Sequence, residues 1–157
     1  MRTLSNLFLA CVAATTLAAP AAAMTPPTAS DVTHSTVGVG GYDLVSYRTG
    51  EKPVRGNGNH VVVHEGVTYL FQNEANRKAF AKAPARYLPA YGGYCAYGVA
   101  VGKKFVGDPD VWAIVDDRLY LNLDTKIQGK WNEDVAGNIR KSEKQWPRIR
   151  EVPAADL

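Results

Sequence analysis

The stretch Val111-Trp112-Ala113-Ile114-Val115, Asp116-Asp117, Arg118-Leu119-Tyr120-Leu121-Asn122-Leu123 constrains this chain more than any other. Two runs of β-branched, aromatic and long apolar residues flank a two-residue polar turn, which is the pattern of a β-hairpin. Alternation places Trp112 and Ile114 on one face of the first strand, and Leu119, Leu121 and Leu123 on one face of the second. A lone hairpin is marginal in water, so those faces need cover. His60 to Val63 and Val67 to Phe71, joined through His64-Glu65-Gly66, read as a second hairpin with a glycine in its turn. Asn73 is a natural cap for a helix from Glu74 to Lys82, which Pro84 ends, and a short turn spans Ala85 to Leu88. After the main hairpin, Asp124 or Thr125 can cap a helix carrying Ile127, Trp131 and Val135 on one face. Ile139 and Trp146 continue that helix past Gly137 until Pro147. No internal repeat stands out. The expected fold is α+β, a small antiparallel sheet of hairpins packed with short helices.

At 157 residues, 46% hydrophobic and 21% charged, the composition suits one buried core. Met1-Arg2, the apolar run Leu7 to Ala14 and the small residues Ala21 to Ala23 read as a secretory signal peptide over residues 1–23, too short to span a bilayer. Residues 24–36, rich in Pro, Thr, Ser and Ala, read as a flexible tether. Residues 37–150 form the expected single domain, and 151–157 a C-terminal tail. The expected location is periplasmic or secreted, with no integral membrane segment after cleavage. The leader takes Cys11 with it and leaves Cys95 as a lone thiol, which excludes a disulfide framework. The formal net charge is +3, and the lysines and arginines are spread along the chain, so no nucleic-acid footprint is visible.

Chemistry concentrates at Tyr91-Gly92-Gly93-Tyr94-Cys95-Ala96-Tyr97-Gly98. Adjacent glycines allow a sharp bend that can present Tyr94 and Cys95. Cysteine is also a small, readily buried hydrophobe, so packing alone accounts for it. As a metal ligand, Cys95 could be joined by His60 or His64. The two histidines lie about 13 Å apart along a continuous strand, at ~3.3 Å per residue, and cannot chelate one ion. A thiolate with one imidazole is a thin set that suits copper better than a closed zinc site. As a nucleophile, Cys95 would need a base within reach, and His60 or His64 could serve. Tyr91, Tyr94 and Tyr97 could line a pocket beside it, with Tyr42, Asp43 and Asn76 as hydrogen-bonding support; capping alone also explains Asp43 and Asn76.

Three blocks together resemble a known family: Tyr42-Asp43-Leu44-Val45-Ser46-Tyr47, the run from Tyr69 to Phe80 ending in Pro84-Ala85-Arg86-Tyr87, and Tyr91 to Ala96. They are similar to the exported YHS domain proteins of proteobacteria, in the wider YHS and TRASH-like group, over roughly Val37 to Pro147. The resemblance implies a YHS-like domain with a C-terminal helical extension, an exported location and a link to metals, copper above all. In the short modules of that group cysteines bind the metal. Here Ser46, Gln72 and Asn76 stand at the matching positions, so Cys95 is the thiol through which a metal role could persist. The leading expectation is a periplasmic YHS-type binding domain rather than an enzyme, taking copper or another transition metal through the Gly-Gly-Tyr-Cys turn. A thiol- or tyrosine-dependent redox enzyme or sensor is one alternative, and a small-molecule or peptide interaction module without metal is the other.

Overall fold

The computed structural model describes residues 35–49 and 52–157. The expected leader and residues 24–34 of the expected tether lie outside the described residues. Thr36, the tether's last residue, already belongs to the fold: Thr36–Val37 form β1, and the Ser35 hydroxyl lies 2.8 Å from that of Thr68.

Both hairpins form where alternation places them. β2 (Asn57–His64) and β3 (Val67–Phe71) turn through Glu65-Gly66, and β4 (Asp108–Val115) and β5 (Arg118–Asn122) turn through Asp116-Asp117. All four turn residues have positive φ, the geometry that matches the twist of the flanking strands. The strands make two small sheets, one ordered β1-β3-β2 with β1 parallel to β3, the other β4-β5. Packed with short helices, they give an α+β fold.

α1 (Glu74–Lys82) begins at Asn73, whose Oδ1 accepts the Asn76 N–H at 2.9 Å, and stops before Pro84, which opens α2 (Pro84–Tyr87). α3 (Ala96–Ala100) follows the glycine block. The C-terminal helix differs from the single element expected. α4 (Thr125–Asn132), capped by Asp124, is separated from α5 (Val135–Ile149) by Asp134, whose Oδ1 accepts the Gly137 N–H at 2.8 Å. A second cap therefore interrupts the periodic face. Pro147 does not end α5 but lies inside it. Burial of Ile149 and packing of Trp146 in the same core hold that last turn, at the cost of the one hydrogen bond proline cannot donate. Leu157, in the expected tail, packs on this core as well.

The two halves repeat one another, contrary to the sequence expectation. Gly56 N donates to Gly41 O at 2.9 Å, and Gly107 N to Gly93 O at 3.1 Å. Asp43 N donates to Val54 O, and Cys95 N to Phe105 O. Bridges pair Tyr42 with Arg55 and Tyr94 with Val106. β2 and β4 bulge at matching places, after Asn57 and after Asp108. Val37 lies parallel to Thr68 as Pro89 does to Leu119, and Tyr69 against Phe80 matches Tyr120 against Trp131. Asp43 is thus the counterpart of Cys95, and Phe71 of Asn122. The repeat is hidden because each position demands a shape or polarity rather than an identity; beyond Gly-Gly-Tyr and Tyr-Leu the halves share little wording.

Two cores result. The first joins Leu44, Tyr47, Tyr69, Phe71 and Phe80 of the first half to Leu119 and Leu121 of the second, with Trp112 and Ile114 packed on it. The second holds Ala90, Tyr91, Ala96, Val99, Tyr120, Trp131 and Ile149. Leu123, expected on the face of Leu119 and Leu121, lies beyond β5 and is exposed.

Candidate functional site

Each half carries the same left-handed bend. Val39 (φ 48°, ψ 45°) and Gly40 (φ 58°, ψ 19°) in the first correspond to Tyr91 (φ 55°, ψ 33°) and Gly92 (φ 63°, ψ 18°) in the second. Positive φ is unremarkable for glycine but strained for a β-branched valine and uncommon for tyrosine. The chain holds these conformations by the paired main-chain bonds to Gly56 and Gly107.

Both bends border an open-sided cleft of about 580 Å³, a size typical of small-ligand sites. Residues 36–40 form one wall; Leu88, Pro89, Gly92, Gly93 and Tyr94 form another; Val67, Tyr69, Val106, Gly107 and Pro109 complete the lining. Most of this surface is aliphatic or glycine main chain. Glu65 supplies its charge, and His64 Nε2 lies 4.0 Å from that carboxylate. Burial, reinforced by the nearby Glu65 carboxylate, raises the pKa of the Tyr69 hydroxyl, so it stays a neutral donor.

Cys95 is not in that lining. It is 1% exposed and caps α3: its Sγ accepts the Gly98 N–H at 3.3 Å and donates to Asn122 Oδ1 at 3.6 Å. Asn122 Oδ1 also accepts the Tyr97 N–H at 3.3 Å, while its Nδ2 has no partner among the described residues. Sequence reasoning passed over Asn122, which stands where the first half has the apolar Phe71.

The other expected site residues are dispersed. His60 faces Glu74 at 3.5 Å, and His64 packs edge-on to Phe80. Neither is a hydrogen-bond partner of Cys95. Among the described residues, no group of three or more His, Cys, Asp and Glu side chains is placed to hold an ion. Tyr91 is buried in the second core, its hydroxyl donating to Glu143 at 3.0 Å; burial and that carboxylate raise its pKa. Tyr97 is half-buried on the same core, and Tyr42 donates to Asp110 at 2.9 Å. Of the tyrosines expected to form a pocket, Tyr94 is the one that borders the cleft.

Asp43 and Asn76 meet under the first glycine bend instead. Fully buried Asp43 accepts from Asn76 Nδ2 at 2.7 Å, Gln72 N at 2.9 Å and Val45 N at 2.9 Å, and its carbonyl accepts the Ser46 hydroxyl at 2.6 Å. Ser46, Gln72 and Asn76, the three positions singled out in the sequence, therefore converge on one residue, Gln72 and Asn76 at the Asp43 side chain and Ser46 at its main-chain carbonyl. Three donors, from Val45, Gln72 and Asn76, satisfy that buried side chain and fasten the turn to α1.

Comparison with family models, with curated proteins and with solved structures returns no match for this chain.

Proposed function

We propose that this protein is a non-catalytic binding domain whose ligand, a small molecule or short extended peptide of largely apolar character, occupies the cleft lined by the two glycine bends. The observation that carries this reading is the cleft's wall: about 580 Å³ of open-sided space bordered by aliphatic side chains and bare glycine main chain. Glycine walls let a ligand approach the backbone closely. The strained φ of Val39 at that wall supports it further, since strain is retained where a site requires the conformation. The resemblance to exported YHS domain proteins supports the same class, a periplasmic or secreted binding module. Cys95 acts here as the cap of α3.

An apolar fluorescent probe, anilinonaphthalene sulfonate, tests the cleft. The expected result is one saturable site per chain, weakened at least tenfold in Val37→Glu/Val106→Glu and unchanged in Cys95→Ala. Both valines line the cleft and are exposed, so the fold tolerates the charges. Unaltered binding in the double variant would sink the proposal. Cu(I) titration of the wild type beside Cys95→Ala belongs to the same series: a one-to-one site lost with the thiol would favour a copper centre at Cys95 with His60 or His64 in its place.

A further inference from the structure

The loop between α3 and β4 reads Val101-Gly102-Lys103-Lys104-Phe105-Val106. It carries three of the six exposed large apolar side chains among the described residues, Val101 at 54%, Phe105 at 46% and Val106 at 77%. The exposure belongs to a braced loop. Val101 N and Lys103 N donate to Gly98 O at 3.1 and 2.9 Å, Gly102 N to Val99 O at 3.0 Å, and Phe105 O accepts from Cys95 N at 2.8 Å. Its charge is basic. Lys103 is exposed; Lys104 Nζ donates to Arg150 O at 3.1 Å and stands 5.2 Å from the Tyr94 ring centroid. Arg150 adds a third cation beside them, with Glu151 as its paired carboxylate at 3.1 Å.

We propose that this loop is a docking tip for an anionic lipid surface. Val101, Phe105 and Val106 enter the boundary between headgroups and acyl chains, while Lys103 and Lys104 face the lipid phosphates. Apolar and basic side chains interleaved on one short turn match the two attractions that hold a peripheral protein at a membrane. Size argues against a protein partner, because a stable protein interface takes about 20–30 residues a side, several times what this tip presents. With one loop and few charges, the attachment is weak, reversible and salt-sensitive. It is peripheral, and no helix among the described residues is long and apolar enough to cross a membrane.

Co-sedimentation of the full chain with phosphatidylcholine vesicles, with and without phosphatidylglycerol, tests this. The expected result is binding only with the anionic lipid, weakened about fivefold by Lys103→Ala, the effect of one cation near such a surface. Val101→Ser should weaken it further, and added salt should release the protein. Neither Val101 nor Lys103 lines the cleft, so the outcome is separate from the cleft reading. Binding to neither vesicle, equal binding to both, or binding indifferent to the two substitutions would overturn the proposal. A chain that ignores vesicles yet pairs through this loop would assign the tip to a protein partner instead.

Discussion

Asp43 and Cys95 occupy equivalent places and do different work. The carboxylate gathers three donors and ties a glycine bend to α1, whereas the thiol caps α3 and meets Asn122 Oδ1, with Asn122 Nδ2 left without a partner among the described residues. Sequence made Cys95 conspicuous because the expected leader takes Cys11 with it and leaves Cys95 as a lone thiol. Asp43 looked like a cap, because nothing in its local sequence reveals that Gln72 and Asn76 arrive beneath it. Glu74 carries the clearest titration behaviour. Its hydrogen bonds to Arg77, at 2.7 Å, lower its pKa from the usual 4.5 to about 2, with the charges of Arg77 and Lys78 assisting. A carboxylate depressed in the folded state stabilises it above its unfolded pKa, and that contribution disappears as pH falls through the folded value. Urea midpoints of wild type and Glu74→Gln should differ by a constant amount above pH 4.5 and converge between pH 4.5 and 2. A gap independent of pH would rule out the ion pair as its source.

At the scale of elements, turn chemistry and capping were legible and interruptions were not. His64-Glu65-Gly66 and Asp116-Asp117 announced both hairpins, Asn73 announced α1, and Asp124 or Thr125 announced α4, with Asp124 the cap that forms. The break before α5 was hidden, since Ile127, Trp131 and Val135 keep helical spacing across it, and Asp134 reads as any exposed acid until it is seen bonding Gly137. Gly56 and Gly107 mark the close crossings behind the two bends. A Cβ on Gly56 would collide with the Leu70 main chain, and one on Gly107 with Leu121 Cβ and Gly93 O. Gly56→Ala and Gly107→Ala should each lose about 2–4 kcal/mol in chemical denaturation, because main chain cannot step aside as a flexible side chain can. Gly58→Ala, with open space at its Cβ, should stay within about 0.5 kcal/mol of wild type. Equal effects at Gly56 and Gly58 would contradict the crossing.

For the whole molecule, the repeated halves share a core. Leu119 and Leu121 of the second half are buried among Tyr47, Tyr69, Phe71 and Phe80 of the first, so the halves should unfold together. Leu119→Ala, at a fully buried position, should cost about 2–5 kcal/mol. Amide exchange should then quicken in β2–β3 and in β4–β5 alike; faster exchange confined to the mutated half would show that each half stands alone. The sequence by itself determined the α+β class, both hairpins, α1 and the start of α4, because alternation, caps and turn residues act between near neighbours. The internal repeat, the split C-terminal helix, the burial of Cys95 as the cap of α3, and the cleft between glycine bends were decided only by the tertiary structure. Each depends on which distant surfaces meet, and equivalent contacts can be built from side chains as unlike as Asp43 and Cys95, or Phe71 and Asn122.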